Sequence, residues 1–179
     1  MRKLTIQEMN RLTVDAFKQA TKIPVVLILD NIRSALNVGS AFRTADAFRL
    51  EGIALCGITA QPPHREILKT AIGATQSVDW AYFKSTEQAI QHYQERGFRV
   101  AAVEQAQNST PLQEFKVENG QSVAVVFGNE VQGVSQAAMD LIKESIEIPQ
   151  WGTKHSLNVS VCLGIVAWEL VKQQPFTNS

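Results

Sequence analysis

The sequence predicts an α/β fold on a mainly parallel sheet, and three observations carry that reading. Val25 to Leu29 and Ser122 to Phe127 are short, β-branched, nearly continuous apolar runs, the pattern of strands buried on both faces. Between such runs, apolar residues recur at helical spacing, as in Val38, Ala41, Phe42, Ala45 and Phe48. The runs also give way abruptly to Asp, Gly or Pro (Asp30, Gly128, Pro149), which gathers polar groups where strands hand over to helices.

With 179 residues, 45% of them hydrophobic, the chain is long enough for one well-buried core. The expected organisation is a short helical extension over residues 1–22 and a single domain over 23–179. Lys+Arg and Asp+Glu both number 17, so overall charge selects no partner, and only a local patch could favour nucleic acid. Arg2, Lys3, Arg11, Lys18 and Lys22 outnumber Glu8 and Asp15 and form one such patch. Cys56 and Cys162 lie in apolar stretches without CxxC spacing and read as core residues of a reducing compartment. The three histidines lack metal-ligand spacing, so no metal is expected. Neither a signal peptide nor a membrane-length apolar run is seen, so no membrane association and a cytoplasmic location are expected.

In chain order, Thr5 to Glu8 has the form of a capping box and opens a helix expected to end near Lys22 and Pro24. The strand Val25 to Leu29 stops at Asp30, and Asn37 is the expected cap of the next helix, which leaves Arg43 near the edge of its apolar stripe. Gly52 to Gly57 reads as a strand, and Pro62 and Pro63 exclude regular structure in the loop beyond it. A short helix over Glu66 to Ala71, a strand over Trp80 to Phe83 and a helix over Thr86 to Arg96 follow, the last closed by Gly97. The strand Phe98 to Val103 ends in the polar segment Glu104 to Thr110. Leu112 to Phe115 reads as one helical turn, and Asn119-Gly120 as a turn. A helix over Ser135 to Lys143, a short strand over Ile146 to Ile148 and a terminal helix over Ser156 to Gln173 complete the chain. Ser156 is the expected N-cap of that last helix and Pro175 its stop.

In a parallel sheet the strand-to-helix loops emerge at one edge, where α/β proteins place ligands. The loops after Leu29, Val103, Phe127 and Ile148 therefore share an edge, which brings Asn37, Arg43, Glu130, Ser156 and Asn158 within range of one another. The loop after Ile148 holds Pro149 and Gly152 and should be tight and lined by main chain, suited to a flat ligand.

Three blocks, NVGSAFRTADAF, FGNEVQGVS and IPQWGTKHSLNVSV, carry a resemblance to the SpoU-TrmH group of SPOUT RNA methyltransferases. Each block alone is weak, whereas all three in order are specific, and the likeness runs through nearly the whole chain after Lys22. Taken singly, Arg43 reads as a surface arginine, Glu130 as an acid favoured by a helix dipole and Ser156 as a cap. The resemblance implies transfer of a methyl group from S-adenosylmethionine to a ribose 2′-hydroxyl of RNA. It further implies a C-terminal trefoil knot and a homodimer whose site is completed across the interface. Under it, Val103, Gly128, Ile148 and Leu157 match cofactor-binding positions, and Asn37, Arg43, Glu130, Ser156 and Asn158 match catalytic or substrate-side positions. The block around Gln150-Trp151 and Cys162 departs from the usual family pattern, which bears on substrate identity more than on activity.

These residue types suit the chemistry. A sulfonium donor already has a good leaving group, so the protein mainly aligns donor and hydroxyl and manages the hydroxyl proton. As a literal base Arg43 would need its pKa lowered by roughly five units, about 7 kcal/mol, whereas stabilising a developing alkoxide needs no deprotonated guanidinium. The residues before the first strand form no separate RNA-binding domain, which favours tRNA over ribosomal RNA. The alternatives are a ribosomal-RNA enzyme of the same group, a non-catalytic RNA-binding module, and a Rossmann-type enzyme. The last is disfavoured because the loop after Leu29 reads DNIRSALN rather than a glycine-rich fingerprint.

Overall fold

The computed structural model describes residues 1–5 and 7–174. Its sheet is parallel throughout, with the strands in the order β3-β2-β1-β6-β4-β7-β5. These strands are β1 (Ile23–Asp30), β2 (Leu50–Cys56), β3 (Trp80–Phe83), β4 (Arg99–Val103), β5 (Thr110–Pro111), β6 (Val123–Phe127) and β7 (Ser145–Glu147). The helices are α1 (Val14–Gln19), α2 (Ala35–Ala47), α3 (Arg65–Ala71), α4 (Ala74–Ser77), α5 (Thr86–Glu95), α6 (Gln136–Met139) and α7 (Val159–Lys172).

The continuous apolar runs explain the sheet's centre. Leu27 of β1 pairs with Ile53 on one side and Val125 on the other, so β1 has no free edge. Its side chains alternate between two cores. Val25, Leu27 and Leu29 join Phe42 of α2 and Leu163, Val166 and Leu170 of α7, while Val26 and Ile28 join Ile90 and Tyr93 of α5 and Ala138 of α6. Helices covering both faces are what a parallel sheet requires. Gly39 lets α2 and α3 close up, because a Cβ there would sit 2.1 Å from Thr70 Oγ1 and 2.4 Å from the Ile67 carbonyl oxygen.

Several local expectations are corrected. The first predicted helix is a 3-10 turn over Gln7–Met9 followed by the short α1. The capping box does form, Thr5 N donating to Glu8 Oε2 at 2.7 Å, but Asn10 turns left-handed at φ 47° and Thr13 caps a new helix. Burial explains the break: Phe17 is the buried residue of α1, whereas Met9 and Leu12 stay exposed and supply no packing to continue the helix. The basic patch is smaller than its residue count, since Arg2 is paired to Glu8 and Lys22 bonds backbone carbonyls at the end of α1.

The helix expected over Ser135 to Lys143 is regular only over Gln136–Met139, and α4 and β5 were not expected at all. Gly97, at φ 82°, closes α5 as predicted, and Gly120 makes the Asn-Gly turn at φ 76°. Gly152, by contrast, is not among the left-handed glycines. Pro175 lies outside the described residues. Among the described residues no helix is long and apolar enough to cross a membrane.

Candidate functional site

The carboxyl ends of β4, β6 and β7 open into one cavity of about 760 Å³. Val103, Gly128, Ile148 and Leu157 all line it, and so do Glu130, Ser156 and Asn158. The sheet order produces this gathering: β6 and β7 flank β4, and the segment after β7 returns across the same edge to start α7. Gln105 Nε2 donates to the His155 carbonyl at 3.1 Å and ties that returning segment to the chain leaving β4.

The loop after β6 is shaped by two glycines. A Cβ on Gly128 would lie 2.1 Å from both Gly133 C and Val134 N, so the loop folds back directly onto this residue. Asn129 N and Gly133 N each donate to the other residue's carbonyl at 2.9 Å, and Gly133 adopts φ 71°. Glu104 clamps the far side of the turn: its Oε2 accepts from Val134 N and its Oε1 from Gln105 N, both at 2.9 Å. The sequence reading passes over Glu104, although an acid immediately after a parallel strand was a usable signal.

Glu130 binds the start of α2. Its carboxylate accepts from Arg33 N at 2.9 Å, Ser34 N at 3.0 Å and Asn37 Nδ2 at 3.0 Å. Burial pushes the Glu130 carboxyl up, but the bonds from Arg33 N, Asn37 and Ser34 N outweigh it and hold the pKa below the ordinary value. Asn158 Nδ2 approaches Asn37 Oδ1 at 3.5 Å, so Asn37 stands between Glu130 and Asn158.

Two capping expectations are corrected here. Ser34, not Asn37, caps α2, its Oγ accepting from Asn37 N at 3.3 Å and leaving the Asn37 side chain for Glu130. Asn158, not Ser156, caps α7, its Oδ1 accepting from Ser160 N at 2.9 Å and from Ser160 Oγ at 2.6 Å. Ser156 is exposed in the preceding loop, where it lines the cavity without capping.

Arg43 stands apart. It lies late in α2, exposed, and lines a cavity of about 470 Å³ with Ser40, Phe48, Lys69 and Gly164 rather than the one at the sheet edge. The sheet edge gathers loops, and Arg43 is two helical turns beyond its loop. Cys162 lines the sheet-edge cavity, but burial pushes its thiol up to about 11, and burial pushes that of Cys56 up to about 12, so neither is a ready nucleophile. No group of three or more metal-ligating side chains occurs among the described residues.

Residues 24–168 match the profile of the SpoU rRNA Methylase family. A Staphylococcus aureus protein assigned to the TrmH family of tRNA/rRNA methyltransferases is 30% identical over 157 residues, 88% of this chain and 62% of its own length. The chain thus spans somewhat under two thirds of the curated relatives it matches. The AdoMet-bound rRNA methyltransferase from Sinorhizobium meliloti superposes with a TM-score of 0.78 at 28% identity, over 89% of this chain and 59% of that one. The A. aeolicus TrmH/SpoU tRNA modifying enzyme gives 0.77 at 25% identity, over 89% and 79%. With the three sequence blocks, the parallel sheet and a family match over most of its length, this chain belongs to the SpoU rRNA Methylase family.

Proposed function

We propose that the protein transfers a methyl group from S-adenosylmethionine to a ribose 2′-hydroxyl of RNA, with tRNA the favoured substrate, in the cytoplasm. The observation that carries this is the cavity at the sheet edge, where Val103, Gly128, Ile148 and Leu157 converge beside the linked side chains of Asn37, Glu130 and Asn158. Its mixture of aliphatic walls and main-chain edges fits an adenosine-bearing cofactor, and the S. meliloti relative is an AdoMet-bound enzyme. S-adenosylmethionine supplies an electrophilic methyl group with a neutral thioether as leaving group.

The chain's own residues then hold and orient. Val103, Gly128, Ile148 and Leu157 bind the cofactor, while Glu130 positions Asn37, and Asn158 and Ser156 meet the ribose side. Arg43 acts from a second protomer as a fixed cation that stabilises the developing alkoxide. Val161, Ile165 and Trp168 form an exposed apolar stripe along α7, 40–51% exposed. Such a stripe on otherwise core-forming helices supports a homodimer, and Arg43 lies beside it through Gly164. The match to the SpoU rRNA Methylase family supports the trefoil knot that the sequence resemblance implies.

The test is to incubate the protein with methyl-labelled S-adenosylmethionine and separate undermodified tRNA and ribosomal-RNA fractions, then digest with alkali. Label in resistant dinucleotides is expected from tRNA, because a methylated 2′-oxygen cannot attack its phosphate. Label in resistant dinucleotides from ribosomal RNA alone changes the substrate, and label confined to mononucleotides overturns the ribose assignment.

A further inference from the structure

A second cavity, of about 510 Å³, lies on the opposite side of the loop Asn129 to Gly133 from the cofactor cavity and shares that loop with it. Its floor is polar but fully engaged. Asp30, 1% exposed, accepts at Oδ1 from Thr86 Oγ1 at 2.5 Å and Asn31 Nδ2 at 2.7 Å, and at Oδ2 from Ser135 N at 2.7 Å. Asn129 Nδ2 donates to the Asn31 carbonyl at 2.7 Å, while Asn129 Oδ1 accepts from Val131 N at 2.9 Å and Gln132 N at 3.2 Å. The buried Asp30 carboxyl thus ties β1, α5 and the loop before α6 together.

The walls have the opposite character. Ile58 and Val131 are 69% and 73% exposed, unusual for large aliphatic side chains, and both line this cavity. Arg33 and Gln132 line it as well, and among the described residues neither side chain has an ion-pair or hydrogen-bond partner. Aliphatic walls, a free amide and a free guanidinium are complementary to a base with apolar faces and a polar edge, attached to a phosphate. The volume lies within the range of roughly 300–1,000 Å³ usual for ligand sites.

We propose that this cavity is a nucleotide subsite for the RNA, which seats one base against Ile58 and Val131 with Arg33 on its phosphate. The inference rests on the RNA-methyltransferase reading and adds a recognition element to it. Because the loop Asn129 to Gly133 borders both cavities, a nucleotide held here is anchored one strand of backbone away from the methyl donor's site.

The test uses wild-type protein carrying labelled Ile and Val methyl groups, saturated with S-adenosylhomocysteine and titrated with a short mixed-sequence oligoribonucleotide pool. The Ile58 and Val131 methyl signals are expected to move. Arg33→Ala is expected to weaken oligoribonucleotide binding about tenfold at low salt and to reduce the slope of log affinity against log salt by about one. Ile58→Asp should weaken binding as well, and both variants should keep wild-type affinity for S-adenosylhomocysteine by calorimetry. Unmoved methyl signals with unchanged affinity in both variants overturn the subsite. Inorganic phosphate reproducing the Ile58 and Val131 shifts reduces it to a simple anion site and overturns the nucleotide assignment. Failure of the wild-type protein to bind S-adenosylhomocysteine overturns the methyltransferase reading instead, and the RNA-induced methyl shifts remain a separate readout.

Discussion

Glu130 Oε1 accepts a hydrogen bond from Asn37 Nδ2 at 3.0 Å across a sequence separation of 93 residues, joining the loop after β6 to the first turn of α2. The same carboxylate holds Arg33 N and Ser34 N, so one side chain fixes the entry to α2 and the orientation of Asn37.

Replacing Glu130 with Gln should therefore reduce methyl transfer while costing only about 1 kcal/mol of stability, the net scale of one hydrogen bond. The pH dependence has a definite sign. Because the folded carboxyl lies below its ordinary value, its stabilisation is complete above the unfolded glutamate pKa and drains away as pH falls through the folded one. The difference in Tm between wild type and Glu130→Gln, followed by calorimetry, should shrink as pH falls through that window.

Arg43→Ala should remain folded and bind S-adenosylhomocysteine normally, because Arg43 does not line the sheet-edge cavity, yet lose RNA methylation. If Arg43 serves a second protomer, mixing this variant with a sheet-edge-cavity variant such as Leu157→Glu should restore about a quarter of wild-type activity. Half the dimers would be mixed, each with one intact site. No recovery after subunit exchange, verified by native mass spectrometry, would argue for a site within one chain.

Gly128→Ala should damage the loop after β6 that is proposed to bind the cofactor, since the new Cβ would stand 2.1 Å from backbone atoms of Gly133 and Val134 that cannot swing aside. A penalty of about 1–3 kcal/mol is expected, read as a loss of S-adenosylhomocysteine affinity of about tenfold or more by calorimetry.

Both thiols should react slowly with a disulfide reagent at pH 8, because burial holds Cys162 at about 11 and Cys56 at about 12. Unfolding in guanidinium should release both at the rate of a free thiol. Bound S-adenosylhomocysteine should slow Cys162 further, since Cys162 lines that cavity, and leave Cys56 unchanged. Mass spectrometry of the labelled peptides separates the two.

The departures from the sequence reading share a cause. Thr5 and Ser156 have capping chemistry, but a cap seeds a helix only where the following turns find something to pack against. After Glu8 the exposed Met9 and Leu12 find nothing, and after Ser156 the exposed Leu157 lies in the cavity wall rather than on a core. Thr13 and Asn158, next to the residues that do pack, cap instead. Asn37 departs for a related reason: an asparagine at a helix start fits a cap, but the competing Ser34 and a carboxylate from a remote loop decide its partner.

By itself the sequence determined the layered α/β architecture, because runs such as Val25 to Leu29 and Val123 to Phe127 can bury both faces only inside a parallel sheet covered by helices. It also determined the family, through three blocks whose residue types stand in order. Tertiary structure decided the strand order, and with it which loops meet: β4 between β6 and β7 gathers Val103, Gly128, Ile148 and Leu157 around one cavity. It decided as well that Arg43 lines a different cavity and that Asp30 and Glu104 brace the loops after β4 and β6. These are contacts between residues far apart in the chain, and a local pattern of apolar and polar residues carries no record of which distant segment will become its neighbour.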